Sequence, residues 1–173
     1  MKLELITNQN EAAVRLPNES FEIFGKLIVT KDDKNWSYRE ELFDTPTKQT
    51  FPEENYQLED INKKGFAIGA FLNDECVGLA IFEYSWTKYL YLADLKVNAK
   101  YRREGVGKQL LDFAIPIAKE NNCRGLSTIA QGTNLAANRF YLRYGFSIGG
   151  LNTQSYFFTS QSGNSDIFYY LNF

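Results

Sequence analysis

The sequence has no histidine, only two cysteines and a single methionine in 173 residues. Without histidine there is no His-based catalytic triad, no imidazole general base and no His-ligated zinc. Cys76 and Cys123 lie far apart and show neither metal-ligand nor redox spacing. Both are expected to be small buried hydrophobes, and no metal is expected. Long apolar runs are missing too. The start, MKLELITNQNE, has nothing like the apolar stretch of a secretory signal, and no segment approaches transmembrane length. Nor is there an excess of positive charge. A formal net charge of −2 argues against general nucleic-acid binding, which needs a basic surface. Together these absences point to a cytoplasmic protein that acts on neither nucleic acid nor membrane, and a slightly acidic surface suits a cationic substrate.

What is present is material for a core. Hydrophobic residues make up 44% of the chain, with fourteen Phe and eleven Tyr, in a length that suits one domain over 1–173. No internal repeat or linker interrupts it. KLELI reads as a short strand, and FEIFGKLIV (21–29) mixes apolar and polar positions before a charged break. WSYREELF (36–43) has Trp36, Glu40 and Phe43 near helical spacing and predicts one or two helical turns, with Pro46 and Pro52 bracketing a loop. From residue 65 the pattern sharpens. GFAIGAFL and CVGLAIFEYSW are strand-like runs joined by Asn73-Asp74-Glu75, a good hairpin turn, and YLYLADLKV (89–97) follows. Strand parity places Tyr91, Ala93, Leu95 and Val97 on one face and Leu92, Asp94 and Lys96 on the other.

Val106, Leu110, Leu111, Ala114, Ile117 and Ala118 then recur at helical steps, with Pro116 expected to bend or weaken the last turn. RGLSTIA (124–130) reads as a buried strand. LAANRFYLRYGF reads as a second helix with Ala136, Ala137, Phe140, Tyr141 and Tyr144 on its apolar side and Gly145 as its stop. The tail is strand-rich in FSIGG, SYFF and DIFYYLNF; its aromatics offer a homodimer contact as readily as a core.

Between the third strand and the first long helix stands Arg102-Arg103-Glu104-Gly105-Val106-Gly107-Lys108. A helix N-terminus exposes unpaired N–H groups and the positive end of the peptide dipole, so it attracts anions. Glycines there let a phosphate approach the backbone closely. Two familiar phosphate loops are excluded. A P-loop requires glycine where Arg102 stands and Ser or Thr where Gln109 stands; a dinucleotide fingerprint requires glycine at Leu110. On its own the segment is either a diphosphate cradle or a surface turn with incidental arginines.

The strand, then Arg102-x-x-Gly105-x-Gly107, then the amphipathic helix, resembles motif A of the GNAT N-acetyltransferase superfamily, whose loop binds the acetyl-CoA pyrophosphate. Downstream, NLAANRFYLRYGF resembles motif B of the same family. NESFEIFGKLIV, WSYREELFDTP, SWTKYLYLADLKV and DIFYYLNF are similar to stretches of streptothricin acetyltransferases, which acetylate an amine of a cationic antibiotic. That resemblance implies an α/β (α+β) fold, with a mixed, mostly antiparallel central sheet of about six or seven strands flanked by helices and the core fold spanning about 20–173. It also implies acetyl-CoA as co-substrate and a small amine as partner.

The resemblance further implies roles. Leu95, Lys96 and Val97 pair their backbone with pantetheine, and Arg102, Arg103, Glu104, Gly105, Val106, Gly107 and Lys108 hold the pyrophosphate. Asn134 and Asn138 either contact the cofactor or serve as a helix cap and a solvated helix position. Tyr141 aligns with the tyrosine that protonates departing thiolate, and a phenol suits that task at neutral pH; the competing role is a core aromatic. With no histidine, the general base falls to Asp94 or Glu83, directly or through water, against surface ion pairing for either. Trp36, Glu41, Trp86 and Tyr91 are candidates for an acceptor wall and equally for structural roles. Where streptothricin acetyltransferases carry Glu-Asp, this chain reads Ala93-Asp94. A protein or peptide N-acetyltransferase and a non-catalytic acyl-CoA-binding module remain the alternatives.

Overall fold

The computed structural model describes all 173 residues. In chain order its elements are β1 (Lys2–Leu5), β2 (Phe21–Lys31), β3 (Trp36–Gln49), α1 (Leu58–Lys64), β4 (Gly65–Leu72), β5 (Glu75–Glu83), β6 (Tyr89–Val97), α2 (Val106–Glu120), β7 (Gly125–Gln131), α3 (Leu135–Tyr144), β8 (Ser147–Asn152) and β9 (Asp166–Asn172). The fold is mixed α/β and mostly antiparallel. Two compact units, interleaved along the chain, divide it: Met1–Glu19 with Phe51–Leu126 and Asn172–Phe173, and Ser20–Thr50 with Ser127–Leu171. Seven strands form the main sheet, in runs of neighbours β1-β4-β5-β6 and β7-β9-β8, and β2 with β3 makes a separate ribbon.

In the first unit, β4 and β5 form the expected hairpin. Leu72 pairs with Glu75, leaving a two-residue turn in which Asn73 (φ 51°) and Asp74 (φ 65°) are both left-handed. Asn and Asp tolerate that region better than other L-residues, and the resulting twist matches that of the flanking strands. β6 pairs with β5 through a register slip, because Ile81 faces Asp94 while Phe82 faces Leu92, so Ala93 is the extra residue of a bulge. Cross-strand partners share a face. Tyr91 therefore joins Asp94 and Lys96 on the face of Leu79, Ile81 and Glu83, and the simple alternation expected across 91–97 holds only from Asp94 onward.

Opposite faces of this part of the sheet carry different cover. Gly78 lies against α2, where an added Cβ would fall 2.7 Å from Val106 Cγ1. On the Leu79/Ile81 face, Val14, Leu58 and Ile61 complete a core against which Tyr56 and Ala93 pack. α2 buries Val106, Leu110, Leu111, Ala114 and Ala118 and runs four residues past Pro116. The seven-residue α1 was not foreseen.

In the second unit, 36–43 is strand rather than helix. β3 pairs with β2 from Lys31↔Trp36 to Phe21↔Gln49. Helical spacing misled because most of β3 is exposed on both faces, so the two-residue period of a half-buried strand is absent. Thr47 to Gln49 also belong to the strand rather than to a loop. Gly25 pairs with Leu42 and Ile23 with Thr47, so Phe43 to Pro46 lie outside the regular ladder, where a missing N–H breaks no pairing. SYFF (155–158) forms turns rather than strand, with Phe158 96% exposed. On α3 the buried stripe is Leu135, Asn138 and Tyr141, and Ala136 faces solvent.

Candidate active site

The residues expected to form a phosphate loop follow the end of β6. Asn98 opens a single 3-10 turn by accepting from the Lys100 N–H at 3.1 Å. Arg102 Nε donates to the Val97 carbonyl at 3.0 Å, and its guanidinium lies 3.6 Å from Glu19, whose carboxylate also accepts from the Ala99 N–H. Arg102 thus braces the loop. Arg103 (φ 67°) and Gly105 (φ 82°) turn the chain through the left-handed region, which glycine adopts without a Cβ penalty. α2 begins with the Gln109 N–H donating to the Gly105 carbonyl at 3.0 Å, and no side chain caps that end. Helix geometry therefore leaves the N–H groups of Val106 and Gly107 without intrahelical acceptors. Arg103, Glu104 and Gly105 are exposed around them, whereas the Val106 side chain is buried and offers only its backbone. The Lys108 ammonium is held by Asp112 at 2.6 Å along the helix. Main-chain donors at a positive helix end, rather than the lysine charge, form the anion cradle, and such a donor set fits a diphosphate.

A second group gathers on the Leu79/Ile81 face of β6. Lys96 is only 8% exposed; its ammonium meets Glu54 Oε2 at 2.6 Å and Asp94 Oδ2 at 3.4 Å and lies 5.5 Å from the centre of the Tyr56 ring. The longer contact attracts but exceeds the length of a strong charge-assisted bond. Asp94 Oδ2 is consequently buried without a hydrogen-bond partner. Burial pushes the Asp94 carboxyl up to about 6; Lys96 opposes the rise and Glu54 adds to it. Burial likewise acts to raise Glu54, but bonds from Lys96 and Asn18 outweigh it and hold that carboxyl below its usual range. The Tyr56 phenol is raised well beyond its ordinary range by burial and then by the Asp94, Glu54 and Glu83 carboxylates. A carboxylate titrating near 6 is a competent proton acceptor close to neutrality. A cavity of about 210 Å³, lined by Arg15, Leu16, Glu53, Glu54, Tyr56 and Lys96 among others, adjoins the group.

The residues of the second unit stand as follows. Asn134 accepts from the Ala137 N–H at 3.2 Å and caps α3. Asn138 is neither on a solvated face nor available to a cofactor. It is 0% exposed; its Nδ2 donates to the Gln131 (2.9 Å), Gly132 (3.3 Å) and Asn134 (2.9 Å) carbonyls, and its Oδ1 accepts from the Tyr169 hydroxyl at 2.7 Å. A buried amide must satisfy every polar atom, and this one does so by tying the β7–α3 turn to β9. Tyr141 is 7% exposed, and its ring packs against Phe140, Phe146 and Tyr169, with centroids between 5.3 and 5.5 Å away. Among the acceptor-wall candidates, Trp36 lies under Lys31, Glu41 pairs with Lys26, and Trp86 is 92% exposed. Cys76 is half-buried and Cys123 buried, and burial raises both thiols. No group of three or more His, Cys, Asp or Glu side chains is arranged to hold a metal ion, and no helix is long and apolar enough to cross a membrane.

A sequence model of the acetyltransferase (GNAT) family matches residues 33–146, a span containing the cradle, Asp94 and Tyr141. The chain belongs to the GNAT acetyltransferase family. Like other GNAT proteins it is an acetyl-CoA-dependent acyltransferase, and its relatives narrow the comparison. Streptothricin acetyltransferase A of Bacillus subtilis (strain 168) is 31% identical over 169 residues, covering 97% of this chain and 98% of that protein. The streptothricin acetyltransferase of Streptomyces lavendulae is 28% identical over 152 residues, covering 83% and 78%. A crystal structure from Bacillus anthracis str. Ames, of a protein assigned as a streptothricin acetyltransferase and in complex with acetyl coenzyme A, superposes with a TM-score of 0.89 at 27% identity over 99% of each chain.

Sequence reasoning had not singled out Glu54, Tyr56 or Asn18. They lie in irregular segments with no periodicity to read; the only local signal is a Pro-led acidic-aromatic stretch, Pro52-Glu53-Glu54-Asn55-Tyr56.

Proposed function

We propose that this GNAT enzyme acetylates a primary amine of a small cationic molecule by direct transfer, with streptothricin the first acceptor to test. The observation that carries the reading is the cluster of carboxylates on one face of β6 and β5: Asp94, with a buried oxygen that lacks a hydrogen-bond partner, Glu54, joined to it through Lys96, and Glu83, on the same sheet face. Three carboxylates outnumber the one buried ammonium, Lys96, and a low-dielectric site of net negative charge concentrates cations. Glu83 supplies negative charge that Ala93 does not, while the charge of Glu54 is matched by Lys96 at 2.6 Å. The names of the relatives above supply the candidate antibiotic.

In this reading the segment Arg102 to Lys108 holds the pyrophosphate, mainly through main-chain N–H groups at the start of α2. Pantetheine lies along the backbone of Leu95–Val97, and Asn134 adds a contact from the start of α3. The neutral amine attacks the thioester carbonyl. A C–N bond forms, the C–S bond breaks, and the ammonium proton passes to Asp94 directly or through a water. Tyr141 gives its proton to the departing sulfur and recovers one from solvent. Glu83 assists by drawing the acceptor cation. Neither thiol is activated, which favours one direct step over an acetyl-cysteine route. The cytoplasm, where acetyl-CoA is available, is the working compartment.

The experiment is a thiol-release assay with acetyl-CoA across streptothricin, polyamines, aminoglycosides and short peptides. Release dependent on a small polycation is the expected result. Faster release with peptide N-termini transfers the assignment to protein acetylation, and binding of acetyl-CoA without turnover on any amine makes the chain a non-catalytic acyl-CoA module.

A further inference from the structure

We infer that Glu54 and Lys96 are positioning residues that set the proton affinity of Asp94. The inference rests on the reading of Asp94 as the base and adds what tunes it. An ammonium has three donors, and the placement of Lys96 decides who receives them. Its shortest contact, 2.6 Å, goes to Glu54; the Leu16 carbonyl and Asp94 Oδ2 both stand at 3.4 Å. Glu54 therefore keeps the cation, and Asp94 retains an oxygen with no hydrogen bond.

Glu54 is itself fixed. Asn18 Nδ2 lies 3.1 Å from both of its carboxylate oxygens and 2.8 Å from the Pro52 carbonyl, while the Asn18 N–H donates to Glu53 at 2.9 Å. The clamp holds the 52–56 segment, and with it Tyr56, against β6. The groups facing Asp94 are Lys96 from its own strand and Glu54 and Tyr56 from that segment; Glu83 of β5 acts on Tyr56. Were Lys96 to pair with Asp94 alone, the carboxylate would be a much weaker base. The competing carboxylate of Glu54 prevents that.

The test is the carbon-13 carboxyl titration of Asp94 in the full chain, assigned with Asp94→Asn. Glu54→Gln removes a neighbouring negative charge and releases Lys96 toward Asp94, so the midpoint should fall by about one pH unit. Lys96→Met should raise it by a similar amount, and Lys96→Arg, which keeps the charge, should leave it near wild type. If either variant fails to fold, Asn18→Ala reads the same network by loosening Glu54, and the midpoint should again fall. A fall for Glu54→Gln or Asn18→Ala, or a rise for Lys96→Met, supports the inference; a rise for either of the first two, a fall for Lys96→Met, or no shift overturns it. The titration needs no turnover, so it is separable from the base assignment, which fails instead if Asp94→Asn retains kcat/KM.

Discussion

Asp94→Asn should make the protein more stable while removing the proposed base. Burial raises the folded-state carboxyl from 3.8 to about 6, so the ionised form is disfavoured by about 3 kcal/mol in the folded chain. Its side chain is 17% exposed, which leaves little solvent to screen that penalty. A folded state that binds the proton more tightly than the unfolded one loses stability as pH rises from about 4 to about 6, and the loss is complete above that range. Asparagine does not titrate. Lys96 is not orphaned by the change, because Glu54 holds it at 2.6 Å. The stability gap between Asp94→Asn and wild type should therefore be near zero below about pH 4, open between about pH 4 and 6, and level off near 3 kcal/mol. Urea unfolding followed by circular dichroism across that range measures it directly. By heat the plateau corresponds to roughly 6–12 °C for a chain of this size. A variant less stable than wild type at about pH 8, or a gap that ignores pH, refutes the argument that Asp94 is a strained buried carboxylate.

The same carboxyl predicts that the fall of kcat/KM with acid steepens by a further tenfold per pH unit below about 6, beyond the loss of neutral amine, as the base becomes protonated, and a pH–rate profile checks it. Tyr141→Phe should lower kcat by about a hundredfold or more and leave acetyl-CoA affinity by calorimetry nearly unchanged; an unaffected rate removes Tyr141 from the mechanism. Gly105→Ala places a Cβ at φ 82° and should cost about 1 kcal/mol of stability while weakening acetyl-CoA binding through the displaced N–H groups. Tyr169→Phe leaves the Asn138 Oδ1 without its 2.7 Å donor in a fully buried site and should destabilise by about 1–3 kcal/mol in urea.

How much of this was legible in the sequence followed from burial and period. The 65–97 strands were readable because Asn73-Asp74 marks a two-residue turn and the flanking runs are long and apolar. α2 was readable because one stripe carries nearly all its burial. β3 was not, since an exposed two-stranded ribbon has no buried face to impose alternation, and Glu40 and Arg139 settle into a 2.5 Å surface pair instead. The bulge at Ala93 was invisible because one extra residue changes no local propensity, yet it moves Tyr91 to the face of Asp94. Asn138 reads from its polarity as a cofactor contact or a solvated position, whereas three carbonyls of the adjoining turn and the hydroxyl of Tyr169, distant in sequence, satisfy it in a buried site. Glu54 and Asn18 depend on the meeting of two loops some 36 residues apart, which no window of sequence displays.

Direct acetyl transfer to a small cationic amine is tested most plainly by intact-mass spectrometry of the protein and the amine during turnover with acetyl-CoA and streptothricin. The account predicts that the amine gains one acetyl group while free CoA appears in equal amount and the protein mass stays constant throughout. An acetylated protein that accumulates ahead of the product, or an amine that never gains mass, contradicts it.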